Sequence, residues 1–128
     1  MTHSRSWNDH AYGVMRLFIG LLFSCHGAQK LFGAIGGPKM TSGQMLTAGF
    51  IEFGGGLLIA AGLFASVAAF VASGEMAVAY FTQHAPHGFW PIQNRGELAV
   101  LYCFVFLYIA AEGSGKYSLQ ALLTRKRV

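Results

Sequence analysis

The sequence predicts an all-α integral membrane protein: an antiparallel four-helix bundle with short surface segments in its first and third loops. Three observations carry this. Hydrophobic residues fill 54% of the 128 positions. Charged residues fill only 11%, less than half the ~25% of an ordinary soluble domain. The apolar residues also gather in runs such as GLLIAAGLF and FVFLYIAA, which lack the charged outer face a soluble bundle needs. The chain is too apolar for a disordered protein and too long for a disulfide miniprotein. Its length fits one domain, 1–128, with spans at about 11–32, 46–62, 65–82 and 97–111.

The first span, from Ala11 to Phe32, is long enough at ~1.5 Å per residue to cross a ~30 Å hydrocarbon layer. It follows a polar start, MTHSRSWNDH, and no small-x-small cleavage site follows it, so a retained span is expected and not a signal peptide. In the first loop, Gly33–Met45, Gly36-Gly37-Pro38 breaks helix. Thr41-Ser42-Gly43-Gln44 then reads as a capping box for the second span. Only a tight turn around Gly62–Ser66 separates spans two and three, so they form an antiparallel hairpin. The third loop, QHAPHGFWPIQNRG, holds two His, two Pro and an Asn-Arg-Gly turn, with Phe89 and Trp90 suited to the headgroup level. After the fourth span the tail KYSLQALLTRKRV is expected to form a short surface helix with its basic end in water.

The net charge of +4 points to a membrane face and not to nucleic acid, because four of the nine Lys and Arg lie in the last 13 residues beside a hydrophobic body. Four spans put both termini on one side. Arg5, Lys116, Arg125, Lys126 and Arg127 mark that side as cytoplasmic, against Lys39, Arg95 and the helix-end Lys30 opposite.

A charge at mid-bilayer costs roughly 2.5–3.5 kcal/mol even on the lenient scale, so each buried one needs a partner or a purpose. At ~100° per residue from Arg16, Gly20 falls at about 40°, Gly27 at about 20°, Lys30 at about 320° and His26 at about 280°. One stripe of span one thus holds both polar and small residues. Gly49, Glu52 and Gly56 share a face of span two, and Ala68, Ala72, Glu75 and Ala79 share one of span three. Residue counts set Glu52 and Glu75 half way across and Arg16 about a turn and a half nearer the cytoplasm. These positions predict a ligand or proton network joining Arg16 to Glu52, Glu75 or both. They also predict an outer-mouth polar cluster of His26, Lys30, His84, His87, Asn94 and Glu97. Fixing helix register accounts for the Arg16 network as well as proton movement or hydrogen bonding to a quinone carbonyl does.

No catalytic residue is assigned, since no nucleophile–base motif, P-loop or dinucleotide fingerprint occurs. Haem or metal ligation by His26, His84 and His87 is not expected. Pro86 interrupts the His84–His87 spacing, and the chain has no Cys-x-x-Cys-His or His-Glu-x-x-His. Cys25 and Cys103 read as inert buried thiols. The glycines of GFIEFGGGLL read as helix packing.

Three motifs together resemble the DoxX family: HG-x-x-K-L-x-G within Arg16–Gly33, E-x-GGG-x-L within Gly49–Phe64, and N-x-GE within His87–Tyr102. Ala111–Leu119 also fits, and the order holds over nearly the whole chain. The resemblance implies a four-helix inner-membrane protein of bacteria or archaea, here a multi-pass protein of the bacterial inner membrane. Relatives of this kind include membrane subunits of thiosulfate:quinone oxidoreductase and of archaeal terminal oxidase assemblies. The matching polar positions are Arg16, His26, Lys30, Glu52, Asn94 and Glu97.

The function expected from this is a membrane subunit of a quinone-linked oxidoreductase or respiratory-type complex, which anchors a redox partner and lines a quinone or quinol pocket. The chain lacks the soluble domain a self-sufficient thiosulfate-oxidising enzyme would need, so it is read as a subunit and not a stand-alone catalyst. Quinone is the one cofactor expected, with none bound covalently. The partners expected are lipid, other membrane or peripheral redox subunits or a further copy of the chain, and no nucleic acid. One alternative is a non-catalytic assembly or scaffold protein of a redox or oxidative-stress complex, docking through Tyr102, Phe104 and Phe106. A small-solute permease is the third reading.

Overall fold

The structure, a computed structural model, describes residues 2–125, all helices and connections with no strand among them. Helix α1 runs over Thr2–Phe32, α2 over Gly43–Ala61 and α3 over Ala65–His87. A single turn of helix, α4, spans Pro91–Asn94, α5 spans Glu97–Glu112, and α6 spans Leu119–Arg125. Helices α1, α2 and α3 are long and apolar enough to cross a membrane. The polar start does not delay α1, which is already helical at Thr2, well before the apolar run begins at Ala11.

Local chemistry fixes the helix ends. Ser42 caps α2 by accepting from the Met45 N–H at 3.3 Å, one residue later than the Thr41-to-Gln44 box predicts. Gly62 ends α2 in the left-handed region at φ 72°, and Leu63 N–H returns to Leu58 C=O at 2.9 Å. A Cβ at Gly62 would also meet Ser118 and the Arg16 guanidinium, so glycine is required there twice over. The tail helix forms as α6, and its Lys126 and Arg127 lie outside the described residues.

Glycine sets how α1 and α2 meet. A Cβ at Gly56 would lie 2.6 Å from the Gly20 carbonyl, and one at Gly27 2.7 Å from the Gly49 carbonyl. The backbones therefore touch in antiparallel register, with Gly20 beside Gly56 and Ala60, and Gly27 beside Gly49 and Phe53. On the other side α3 presents Ala65, Ala69, Ala72 and Ser73 to α5, also antiparallel, and Ser73 Oγ donates to Cys103 C=O at 2.8 Å. Phe23, Ile59, Tyr102, Phe106 and Ile109 fill the space between the two pairs. The Phe23 ring sits 4.6 Å from Phe106 and 5.3 Å from Tyr102. The outward faces stay apolar, with Phe18, Phe70, Phe81 and Phe104 largely exposed.

This packing corrects the docking surface expected on α5. Tyr102 and Phe106 are core residues, and Phe104 alone of the three faces outward. Tyr102 and Phe106 lie four apart, so they share the helix face that also carries Ala99 and Ile109.

Two π turns interrupt the long helices, at Ile51–Gly55 in α2 and Tyr80–His84 in α3. Gly54 and Gly55 weaken the first site, since glycine holds helix poorly. At the second, Thr82 Oγ1 donates back to Val78 C=O at 2.7 Å, and Pro86 brings no N–H to the following turn.

Candidate functional site

Contacts between α2 and α3 concentrate from Ile51 down to the Gly62 turn and thin out beyond. Where the helices part, a cavity of about 820 Å³ opens, walled mainly by apolar side chains of α2, α3 and α5. Lys30 and His26 of α1, Glu52 of α2, Glu75 and His84 of α3, and Tyr102 of α5 are among its polar groups, with Gln44, Thr47, Thr82, Gln83 and Arg95 also on the wall. Both π turns border it, through Ile51 and Glu52 on one side and Thr82 to His84 on the other. Such turns widen a helix locally and recur at functional sites.

At the base of the cavity Lys30 Nζ stands 2.5 Å from Glu52 Oε1. The Glu52 side chain is 2% exposed and that of Lys30 20%. The other oxygen, Glu52 Oε2, is buried without a hydrogen-bond partner among the described residues, and so is Glu75 Oε2. Leaving a buried acceptor unfilled costs about 1–3 kcal/mol. The two carboxyls are near enough for one to hydrogen-bond the other if either carries a proton. The site therefore offers one ammonium, one guanidinium, two converging carboxyls with free lone pairs, two imidazoles and a phenol, with the amides of Gln44 and Gln83 and the hydroxyls of Thr47 and Thr82, in a mainly apolar wall.

Arg16 is not part of it, which corrects the predicted network with Glu52 and Glu75. The glycine register sets Arg16 level with the end of α2, about ten residues or ~15 Å along the helix from Glu52. There it is 3% exposed. Its Nε donates to Ile59 C=O at 2.9 Å, its Nη2 to Tyr117 C=O at 3.0 Å and Ala60 C=O at 3.4 Å, and its Nη1 to Ser114 C=O. The Ile59 and Ala60 carbonyls belong to the last turn of α2, where helix geometry leaves acceptors unpaired and the dipole favours a cation.

The predicted outer cluster also divides. Lys30 and His26 join the two glutamates, and His84 reaches the cavity from its π turn. Asn94 is 3% exposed but braces the third loop instead. Its Nδ2 donates to Gly88 C=O at 2.9 Å and Tyr80 Oη at 3.2 Å, and its Oδ1 accepts from Gly96 N–H at 2.8 Å. The His84 ring bonds the Asn94 backbone carbonyl at 3.1 Å. His87 is exposed and off the cavity wall, because the helix tightens from π to 3-10 between it and His84 and the two share no face. Glu97 is also exposed, on the first turn of α5 beside Pro91, Ile92 and Arg95, where a carboxylate complements the helix dipole.

Sequence reasoning passed over Tyr102 and Arg95 as cavity residues. The face shared by Ala99, Tyr102 and Phe106 was a usable signal for Tyr102, while nothing in the local sequence marks Arg95. Cys25 is exposed, on the side of α1 that the 100° step sets opposite Arg16, and Cys103 is half-buried, both as free thiols.

The DoxX family model matches residues 12–85, more than half of the chain and all three helices that contribute Lys30, Glu52 and Glu75. An uncharacterized protein of Haemophilus influenzae is 36% identical over 139 aligned positions, which cover 98% of this chain and 100% of that protein. No solved structure matches. With helices apolar enough to cross a bilayer, the chain belongs to the DoxX family of membrane proteins.

Proposed function

We propose that the chain is a membrane subunit of a quinone-linked oxidoreductase or respiratory-type complex, one that anchors a redox partner and lines a quinone or quinol pocket. The observation that carries this reading is the cavity: about 820 Å³ of mainly apolar space with Lys30, Glu52 and Glu75 converging at its base. Its size and its few converging polar groups suit an amphipathic ring with an apolar tail. The unfilled carboxyl oxygens supply the fit, because a head group with polar hydrogens would complete them. A bound quinone would supply two-electron, two-proton carriage between a redox partner and the membrane pool. Lys30, His26 and His84 would hold its ring oxygens, and Glu52 and Glu75 would accept and return protons. Apolar residues of α2 and α3 would exclude water and hold the tail.

In this reading α5, at 16 residues, is the fourth span of an antiparallel bundle in the bacterial inner membrane. Both termini then lie in the cytoplasm, on the side marked by Arg5, Lys116 and Arg125. The electron-transfer centre belongs to a partner, since the groups in the cavity are acids, bases and hydrogen-bond donors.

Purification in mild detergent followed by organic extraction is expected to release quinone, with a redox subunit among the co-purifying proteins. A quinone-free extract from intact protein, together with failure to rebind added quinone, would overturn the reading.

A further inference from the structure

We infer that the cavity selects the reduced, hydroxyl-bearing form of a ring ligand over its oxidised, carbonyl-bearing form. This deepens the proposed function and rests on the reading of the cavity as a ring site.

The argument starts from donors and acceptors. Glu52 Oε1 already takes a hydrogen bond from Lys30, while Glu52 Oε2 and Glu75 Oε2 are buried and take none. Both unfilled atoms are acceptors, and both belong to residues that line the cavity. A carboxylate accepts only, so these lone pairs need N–H or O–H groups. A quinol brings two O–H groups, whereas a quinone brings two further acceptors. Set against the glutamates, quinone carbonyls would leave both oxygens unfilled and face like partial charge. Lys30 keeps N–H groups beyond the one aimed at Glu52, and Arg95, Gln44 and Gln83 also line the cavity, so an oxidised ring still finds donors away from the glutamates. The oxidised form therefore binds, but less tightly, and the difference lies in the hydrogen bonds to the two glutamates. Bonds to charged acceptors are the stronger kind, which puts the preference at roughly tenfold.

A rival arrangement fills the same lone pairs without any ligand. A proton shared between Glu52 and Glu75 would satisfy both oxygens internally, and the two ring forms would then bind alike.

The test compares decylubiquinol with decylubiquinone, matched in ring and tail, by equilibrium binding to the full chain in lipid nanodiscs without oxygen. The expected result is about tenfold tighter binding of the reduced form. In Glu75→Gln the preference should fall to about threefold, because a neutral amide both donates and accepts while Glu52 Oε2 still needs a donor. Glu97→Gln, at an exposed carboxylate that is not among the cavity-lining residues, should keep it. Retained monodispersity and helix content establish that each variant is folded. Equal binding of the two forms, or tighter binding of decylubiquinone, would overturn the inference and leave the ring-site reading in place. Binding of neither form would overturn both.

Discussion

Lys30 of α1 and Glu52 of α2 form an ion pair across the helix interface at 2.5 Å, with the carboxyl almost wholly enclosed. Glycine makes this pairing possible. Gly27 and Gly49 bring the two backbones together, so the lysine stem spans the remaining gap.

Removing one partner of a buried pair strands the other charge. Lys30→Met is expected to destabilise the protein by roughly 3 kcal/mol, at the low end for a buried pair because Lys30 keeps a fifth of its side chain exposed. The double variant Lys30→Met with Glu52→Gln removes both charges and should recover most of that loss. Equilibrium unfolding in mixed micelles compares both variants with the unaltered protein. A double variant no more stable than Lys30→Met would show that the pair is not what Lys30 contributes.

Some helical glycines touch the neighbouring backbone and others face open space, and these two kinds should respond with opposite sign. Gly20→Ala would push a methyl into the α2 backbone at Gly56 and Ala60, with an overpacking cost of about 1–3 kcal/mol. Gly74→Ala, in α3 with nothing within 4 Å of the added carbon, should stabilise by about 0.5–1 kcal/mol through better helix propensity. Unfolding midpoints of the two variants read the sign directly.

The glycines also show how far the sequence is legible. The face shared by Gly49, Glu52 and Gly56 follows from helical period, and it does turn toward α1. Helix against loop was readable from apolar runs and from Gly and Pro. The partner of Arg16 was not. Angles within one helix say nothing of how far the next helix slides along it, and about ten residues of slide separate the observed register from one with Arg16 level with Glu52. That slide is set by which glycines meet, a tertiary fact. The second π turn hid more, because the sequence reading ends the third span at Thr82 and leaves His84 in a loop, whereas the helix continues through Tyr80–His84 as a π turn.

Arg16 ties the end of α2 to the segment after α5 by donating to carbonyls in both. Arg16→Gln should loosen residues 113–118 while leaving the Lys30 pair intact, at a cost of about 3 kcal/mol for several bonds from a charged donor. Arg16→Lys keeps the charge but loses the planar fork, and should restore only part of the loss. Hydrogen exchange resolved by peptide distinguishes the outcomes. Faster exchange at residues 113–118 with unchanged exchange around Glu52 is expected. Uniform acceleration over the whole chain would mean that Arg16 holds the global fold and not this junction.

Asn94 governs the cavity from outside it. Its side chain pins Gly88 C=O, Tyr80 Oη and Gly96 N–H, and its backbone carbonyl meets the His84 ring. Truncation in Asn94→Ala leaves the buried Gly96 N–H without a partner, which costs about 1–3 kcal/mol, and frees the part-buried Gly88 carbonyl. The third loop relaxes first, since it has few other ties. Tyr80 and His84 lose their bracing from that side, and His84 belongs to the cavity wall. The expected outcome is faster hydrogen exchange over residues 84–96 and several-fold weaker ring binding, with the preference between reduced and oxidised forms unchanged. That split separates a residue that positions the wall from one that touches the ligand. A change in the preference itself would place Asn94 in direct contact with the bound ring.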